Sequence, residues 1–445
     1  MSRRPRNFKL LPQEPVAAHV ESLSQDGRGV AHVNGKAVFI EGALPSEQVL
    51  FTCVTRRKRY DEGKIERIIS PSPDRVEPRC AHFTICGGCS LQHLAPEMQI
   101  AAKEQVLLDG LKHIGGIKPK DILAPLTGPH WGYRRRARLG VKFVIKKDKL
   151  LIGFREKRSS LLADIERCEV LHPAVGRLLP ALRELIAGLE AYNTIPQIEV
   201  AAADEAIALV FRNLAPLSNT DLVKLQSFGK QQNLQIYLQP AGPESVTLIW
   251  PEAAALSYRL PEFDLQLFFA PTDFVQINAD INHSMISCVI ELLQPQAHER
   301  VLDLFCGLGN FTLPLARRAA HVTGVEGEAR LIQRAQDNAQ HNAIRNAEFY
   351  ACNLSQDLTG QPWAKRRFDK ILLDPPRTGA LEVIKQLPAF GAAHIVYVSC
   401  HPATLARDAR ELVAGGYRLI SAGVVDMFPH TTHIEAVALF EKSCE

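Results

Sequence analysis

"VLDLFCGLGNFTLPLA", residues 301–316, runs from an apolar strand through a glycine turn into a helix, and its reading decides the fold. Val301, Leu302 and Leu304 form the short apolar run of a strand buried on both faces, the habit of parallel sheets. Gly307 and Gly309 let the backbone turn sharply and approach a ligand. Around this stretch, strand-like segments at 300–305, 321–326, 347–353, 368–374 and 394–400 alternate with helical ones such as 328–342. The alternation predicts a doubly wound, Rossmann-like α/β sheet over residues 261–445, with ligands bound beyond the carboxyl ends of its strands.

Those ends carry the unusual residues. Glu326 closes the next strand about 20 residues after the first, where a carboxylate can accept from both hydroxyls of a ribose. Only two glycines are present, short of the three-glycine fingerprint for a pyrophosphate. A nucleoside without phosphates fits better, so S-adenosylmethionine is the expected cofactor, against the alternative of a purely structural turn. Asn353 and Asp374 end two further strands, as adenine or methionine contacts or as ordinary polar caps. In "DPPR" (374–377) two prolines fix the aspartate. Methylases of exocyclic amines follow a similar segment with an aromatic residue, and Arg377 in that place argues against amine chemistry.

"VSCHPATLARD" (398–408) puts a thiol where an apolar strand stops and a helix starts. Pro402 suits the first helical position, and Cys400 just before it feels oriented N–H groups that favour thiolate. An inert packing cysteine is the alternative reading. A thiolate beside a methyl donor suggests methylation of carbon 5 of a pyrimidine, which is a poor nucleophile until a thiolate adds at carbon 6. A base must then remove the carbon-5 hydrogen so that the thiol can leave. The base candidates lie in "FPHTTHIEAVALF" (428–440): His430, His433 and Glu435. Glu435 precedes a buried-looking last strand, so desolvation should raise its pKa toward neutrality, although a plain strand-edge carboxylate has the same spacing.

Charge is uneven along the chain. Residues 1–160 hold 29 Lys and Arg against 16 Asp and Glu, while the remainder holds 23 against 32. A basic front half implies a polyanion partner, with "TRRKRY" (55–60), "YRRRARLGVKFVIKKDK" (133–149) and "FREKRSS" (154–160) as the densest runs. No apolar run approaches the ~20 residues of a membrane span and no signal-like stretch opens the chain, so a cytoplasmic protein is expected.

Residues 1–13 read as a basic disordered arm. Residues 14–72 read as a small OB-like β-barrel, with Asn34-Gly35 as a hairpin turn. Residues 73–260 read as a central α+β domain opened by the Pro-rich linker 70–78, and 161–260 offer no functional motif. Ten cysteines in a chain without a secretory signal point to metal or chemistry, not disulfides. "CAHFTICGGC" sets Cys80, Cys86 and Cys89 as C-x5-C-x2-C, three soft ligands on a loop that Gly87 and Gly88 let wrap tightly. A fourth ligand must come from elsewhere, and spacing does not separate structural zinc from an iron–sulfur cluster.

Together "DLFCGLGNF", "DPPRTG", "YVSCHPATLARD" and "FPHTTHIE" resemble the RNA (uracil-5-)-methyltransferases. The barrel, which resembles a TRAM domain, and the Cys-rich loop place the likeness with the bacterial branch that methylates 23S ribosomal RNA and carries a [4Fe–4S] cluster. The resemblance covers nearly the whole chain and is weakest over 170–260. It implies Cys400 as nucleophile and Glu435 as base. It implies S-adenosylmethionine contacts from Gln276, Phe305, Asn310, Glu326, Asn353 and Asp374, and cluster ligation by Cys80, Cys86, Cys89 and Cys168, with Cys53, His82 and His93 as lesser candidates. It implies a monomer that grips folded rRNA, away from membranes. One departure is His401, where members usually have Asn. The rivals are methylation of transfer RNA or another rRNA uridine, cytosine-5 methylation, and a non-catalytic iron–sulfur RNA-binding protein.

Overall fold

The computed structural model describes residues 14–443. The expected basic arm, 1–13, lies outside the described residues. The chain divides into two compact units. The smaller runs through Phe83 and adds Cys89–Ala102 and His430–Thr432; the larger comprises Thr84–Gly88, Lys103–Pro429 and His433 onward.

The smaller unit is built on β1 (Val16–His19), β2 (Ser22–Leu23), β3 (Gly29–Val33), β4 (Lys36–Glu41), β5 (Gln48–Arg56) and β6 (Tyr60–Ser70). They form one mixed sheet in the order β1-β5-β6-β4-β3-β2. Asn34 and Gly35 both have positive φ, 52° and 74°, which closes the β3–β4 hairpin in the right-handed twist that such turns require. Alternate residues, among them Val20, Ala31, Val38, Ile40, Val49 and Phe51, fill the interior. The Pro-rich segment after β6 is tied down: fully buried Glu47 accepts from Ser72 N (3.2 Å) and from Arg75 Nε (2.6 Å).

In the larger unit, β7 (Asp121–Ile122) precedes a central sheet of β8 (Arg136–Val144), β9 (Lys149–Gly153), β10 (Gln197–Ala202), β11 (Ile207–Arg212), β12 (Gln235–Gln239) and β13 (Thr247–Trp250). Its order is β13-β12-β11-β10-β8-β9, mostly antiparallel, so the stretch without a motif forms a sheet of its own. The hairpin β14 (Leu256–Leu260) and β15 (Leu265–Phe269) then pairs residues from both sides of position 260.

The C-terminal sheet comprises β7 with β16 (Arg300–Leu304), β17 (His321–Glu326), β18 (Ala347–Ala351), β19 (Lys370–Leu373), β20 (His394–Ser399), β21 (Tyr417–Val425) and β22 (Glu435–Lys442). Its order is β18-β17-β16-β19-β20-β22-β21-β7. β16 to β20 are parallel, and β22 inserts antiparallel between β20 and β21. The strand order reverses between β16 and β19, which opens the crevice where such sheets bind ligands. Period-two alternation divides the side chains between two cores. Val396, Val398, Val437 and Leu439 join one; Ile395, Tyr397, Ala438 and Phe440 join the other. Burial on both faces explains why these strands read as unbroken apolar runs. The architecture is α/β with mixed sheets.

Candidate active site

The parallel registers line the strand ends up in a row. Leu304 pairs with Val325 on one side and Leu373 on the other, so the next residues, Glu326, Phe305 and Asp374, stand side by side. Leu373 pairs with Tyr397, which carries the row to the end of β20. There Ser399 pairs with Ala436 and Glu435 pairs with Val425. Extending the antiparallel register by one residue sets Cys400 opposite Glu435, where facing Cβ atoms lie roughly 4.5–5.5 Å apart. A thiol and a carboxylate separated by 35 positions thus meet because β22 runs back along β20.

At the β17–β16 end the backbone does the holding. Glu326 Oε2 accepts from Gly307 N (3.2 Å), and Oε1 from Gly327 N (2.6 Å) and Glu328 N (3.1 Å). An ionised carboxylate has about four acceptor sites, so one remains for a ligand hydroxyl. Phe305, Gly307 and Gly309 all take positive φ (66°, 56° and 96°), and a Cβ on Gly307 would meet nothing within 4 Å. That bare, open backbone beside a carboxylate is what a nucleoside needs, so the residues fit S-adenosylmethionine.

The other expected cofactor contacts differ among themselves. Gln276 lines a cavity with Tyr258, Phe269 and Asn282. Asn310 spends its amide on the scaffold: Oδ1 accepts from Tyr258 OH (2.8 Å) and Asn282 Nδ2 (3.0 Å), and Nδ2 donates to Asn282 Oδ1 (2.9 Å). Asn353 is exposed, two residues past β18, with Oδ1 accepting from Ser355 N (3.0 Å).

At the β20–β22 end the groups are poorly solvated. Burial, then the Asp374 charge, pushes Glu435 up to about 8 against the pull of Arg377 and Lys103, and its buried Oε2 has no hydrogen-bond partner among the described residues. The expectation of a desolvated, raised Glu435 is met. Burial and then Glu326 push Asp374 up to about 7. The expectation that the helix end favours thiolate needs correcting. Burial, with Glu435 and Asp374 nearby, pushes Cys400 up to about 11, and the Arg377 charge and a backbone hydrogen bond only partly oppose this. Pro402 is the first residue of the helix Pro402–Ala414, and His401 caps it: its Nδ1 accepts from Thr404 N (3.4 Å), the work an Asn would do there.

Of the two histidines weighed as bases, His430 belongs to the smaller unit, where its N–H donates to Gln99 Oε1 (2.9 Å) and its carbonyl accepts from Ser90 and Leu91. His433 lies beside Arg377, whose Nη2 is 3.0 Å from Nδ1. Desolvation and the charges of Arg377, Arg134 and Lys103 push this imidazole down to about 4, so it is neutral and Nδ1 accepts from the guanidinium.

Two buried titratable residues, Lys103 near Glu435 and Asp303 near Asp374 and Glu326, escaped the sequence reading. Lys103 is buried and donates to Asp426 Oδ1 (2.6 Å) and Phe428 O (3.0 Å). Its partner is 323 positions away, so no local pattern could have shown the pair. Asp303 is fully buried, accepts from Thr312 Oγ1 (2.5 Å) and is pushed up to about 8, chiefly by burial.

The fold also consumes part of the basic run at 133–149. Arg135 pairs with Asp204, Arg138 with Glu199 (2.9 Å), and Arg136 donates to the Asp273 carbonyl. Arg56, Arg57, Lys58 and Arg59 are instead exposed at the β5–β6 tip.

The four expected cluster ligands fall in both units: Cys80 and Cys89 in the smaller, Cys86 and Cys168 in the larger. Cys86 Sγ accepts from Gly88 N (3.4 Å), and a Cβ on Gly87 would press on Arg155 O at 3.0 Å, so the loop needs its glycine there. Among the described residues no group of three or more His, Cys, Asp or Glu is gathered as a metal site.

Residues 97–443 match the family described as tRNA (uracil-5-)-methyltransferase. The chain belongs to that family. A relative from Nitrosococcus oceani, named 23S rRNA (uracil(1939)-C(5))-methyltransferase RlmD, is 55% identical over 447 residues, covering 100% of this chain and 99% of its own. One of the same name from Alcanivorax borkumensis is 52% identical over 98% of this chain and 99% of its own. Among solved structures, the Pyrococcus abyssi tRNA (uracil-54, C5)-methyltransferase in complex with S-adenosyl-L-homocysteine superposes with a TM-score of 0.74. It is 25% identical, over 96% of this chain and 100% of that one. Family membership fits a row that runs from a backbone-held carboxylate to a thiol and a desolvated carboxyl group.

Proposed function

We propose that this protein is an S-adenosylmethionine-dependent methyltransferase acting on carbon 5 of a uridine in 23S ribosomal RNA, the position corresponding to 1939 in its relatives. The observation that carries the reading is the β20–β22 register, which, extended by one residue, sets Cys400 opposite Glu435, in one row with Asp374 and Glu326. Glu326, the Gly307 turn, Asp374, Phe305, Asn310, Asn353 and Gln276 form the binding crescent for the cofactor, which supplies an electrophilic methyl group. The uridine is flipped out of its stack to reach the row. Cys400, once its proton has passed to solvent, forms the bond to carbon 6 and makes carbon 5 nucleophilic. Carbon 5 would take the methyl group, Glu435 would then take the carbon-5 proton, and the carbon 5–carbon 6 double bond would re-form as the sulfur leaves. With its pKa pushed up to about 8, Glu435 is a strong base in its ionised form, which predominates only above that pH.

The exposed cations at 56–59 and the small mixed sheet support a TRAM-like, RNA-gripping role for the first region. The thiols Cys80, Cys86, Cys89 and Cys168 have the soft donor chemistry of a [4Fe–4S] cluster, assigned here by family likeness; about four irons per chain in anaerobically purified protein would support it, and a colourless one-zinc protein would end it. The enzyme works as a monomer in the cytoplasm, with rRNA as its partner. The function itself is tested by mapping 5-methyluridine in cells lacking the protein: loss of one site in 23S rRNA is expected, and loss from transfer RNA instead would reassign the substrate.

A further inference from the structure

Arg377 is a cation without an anion. It is exposed and forms no ion pair among the described residues, although its charge reaches both Cys400 and Glu435. The structure holds it from two sides. Its carbonyl accepts from Thr404 Oγ1 (3.3 Å) in the helix that Cys400 precedes, and its Nη2 donates to His433 Nδ1 (3.0 Å), two residues before Glu435. Pro375 and Pro376 stiffen its approach, and Gly379, at φ 77°, turns the chain away behind it.

The substrate's own geometry says what such a cation meets. In a uracil seated with carbon 6 at Cys400 and carbon 5 toward Glu435, carbon 4 is the next ring atom, and its oxygen projects on the Glu435 side. We propose that the Arg377 guanidinium binds oxygen 4 of the flipped uracil, with His433 as the positioning residue that aims it. When the Cys400 sulfur forms its bond to carbon 6, the carbon 5–carbon 6 π pair moves between carbons 4 and 5, and the carbonyl π pair moves onto oxygen 4. The negative charge that leaves the sulfur therefore arrives on the atom facing Arg377, where a preorganised donor is most effective. A guanidinium has donors only. Uracil offers it an acceptor at position 4; cytosine offers an amine and would leave both groups unpaired. Arg377 thereby also selects the base.

This inference rests on the uracil-5 reading above, and its test separates the two. Full-length wild-type, R377K and R377M proteins are given a target-site RNA fragment with uridine, 5-fluorouridine or cytidine at the target, plus the methyl donor. A covalent Cys400 adduct on the fluorinated RNA by the wild-type protein upholds the uracil-5 reading; its absence ends that reading. With the wild-type adduct in hand, R377M should bind RNA within about threefold of wild type and form the adduct on the order of 10²–10³-fold more slowly, with R377K between the two. The preference of R377M for uridine over cytidine should fall at least tenfold. An R377M adduct rate equal to wild type, or an R377M defect in RNA binding alone, would overturn the role of Arg377, and an unchanged uridine preference would remove oxygen 4 as its partner.

Discussion

The two ends of one row of strand termini treat carboxylates in opposite ways. At the β17–β16 end, Glu326 is met by three backbone N–H groups and presents what remains of its acceptor capacity to a ligand. At the β20–β22 end, Glu435 is buried with an oxygen unpartnered, and the thiol opposite is pushed up to about 11. A group that binds is satisfied by the scaffold before the ligand arrives. A group expected to react is left without those bonds, because a fully hydrogen-bonded carboxylate would be too weak a base.

The contrast can be broken at several points. The largest effect is expected from Cys400→Ala, which should cut methyl transfer by on the order of 10⁴-fold or more while RNA binding, followed by filter retention, stays within a few-fold. Glu435→Gln should slow turnover about 10²–10⁴-fold and let a protein–RNA adduct accumulate on denaturing gels, because the carbon-5 proton is no longer removed. Turnover without any adduct in that variant would show that another group is the base.

Glu435→Gln has a second consequence with a definite sign. The folded protein holds the Glu435 proton up to about 8, whereas an unfolded carboxyl of ordinary pKa 4.5 has lost it. The stability this proton represents is complete below 4.5 and disappears as pH rises to about 8. The neutral amide escapes that loss, so the variant should melt on the order of 2 °C higher than wild type at pH 8.5 and show no such advantage at pH 4.5.

Lys103→Met removes a buried cation and strands Asp426, which should cost about 3–5 kcal/mol in urea denaturation, largely restored by adding Asp426→Leu. The Lys103 charge also helps keep Glu435 ionised, so in the double variant the acid limb of the pH–rate profile should move upward by on the order of half a unit. The smallest effect is expected at the β5–β6 tip. Arg57, Lys58 and Arg59 replaced together by Ala should raise KM for RNA roughly tenfold and flatten its salt dependence, with kcat unchanged.

Much of this was readable without coordinates. The segment 321–326 is a strand at those residues, and the helix expected at 328–342 spans Ala329–His341, because apolar spacing is a local property of the chain. Asn34-Gly35 specified its hairpin for the same reason: both residues tolerate positive φ. Cys400, Asp374 and Glu326 stood out because strand ends beside glycine or proline are rare places for reactive or acidic groups.

The sequence by itself thus determined the parallel sheet, its crevice and the chemical type of the groups at its edge, since these follow from periodicity and from what each side chain can donate or accept. Tertiary structure alone decided that β22 folds back antiparallel and sets Glu435 against Cys400, that Arg135 and Arg138 meet scaffold carboxylates, and that Lys103 finds Asp426. The proton affinities of Cys400 and Glu435 were decided there too. Burial and field depend on neighbours brought together from distant parts of the chain, and no window of sequence contains them.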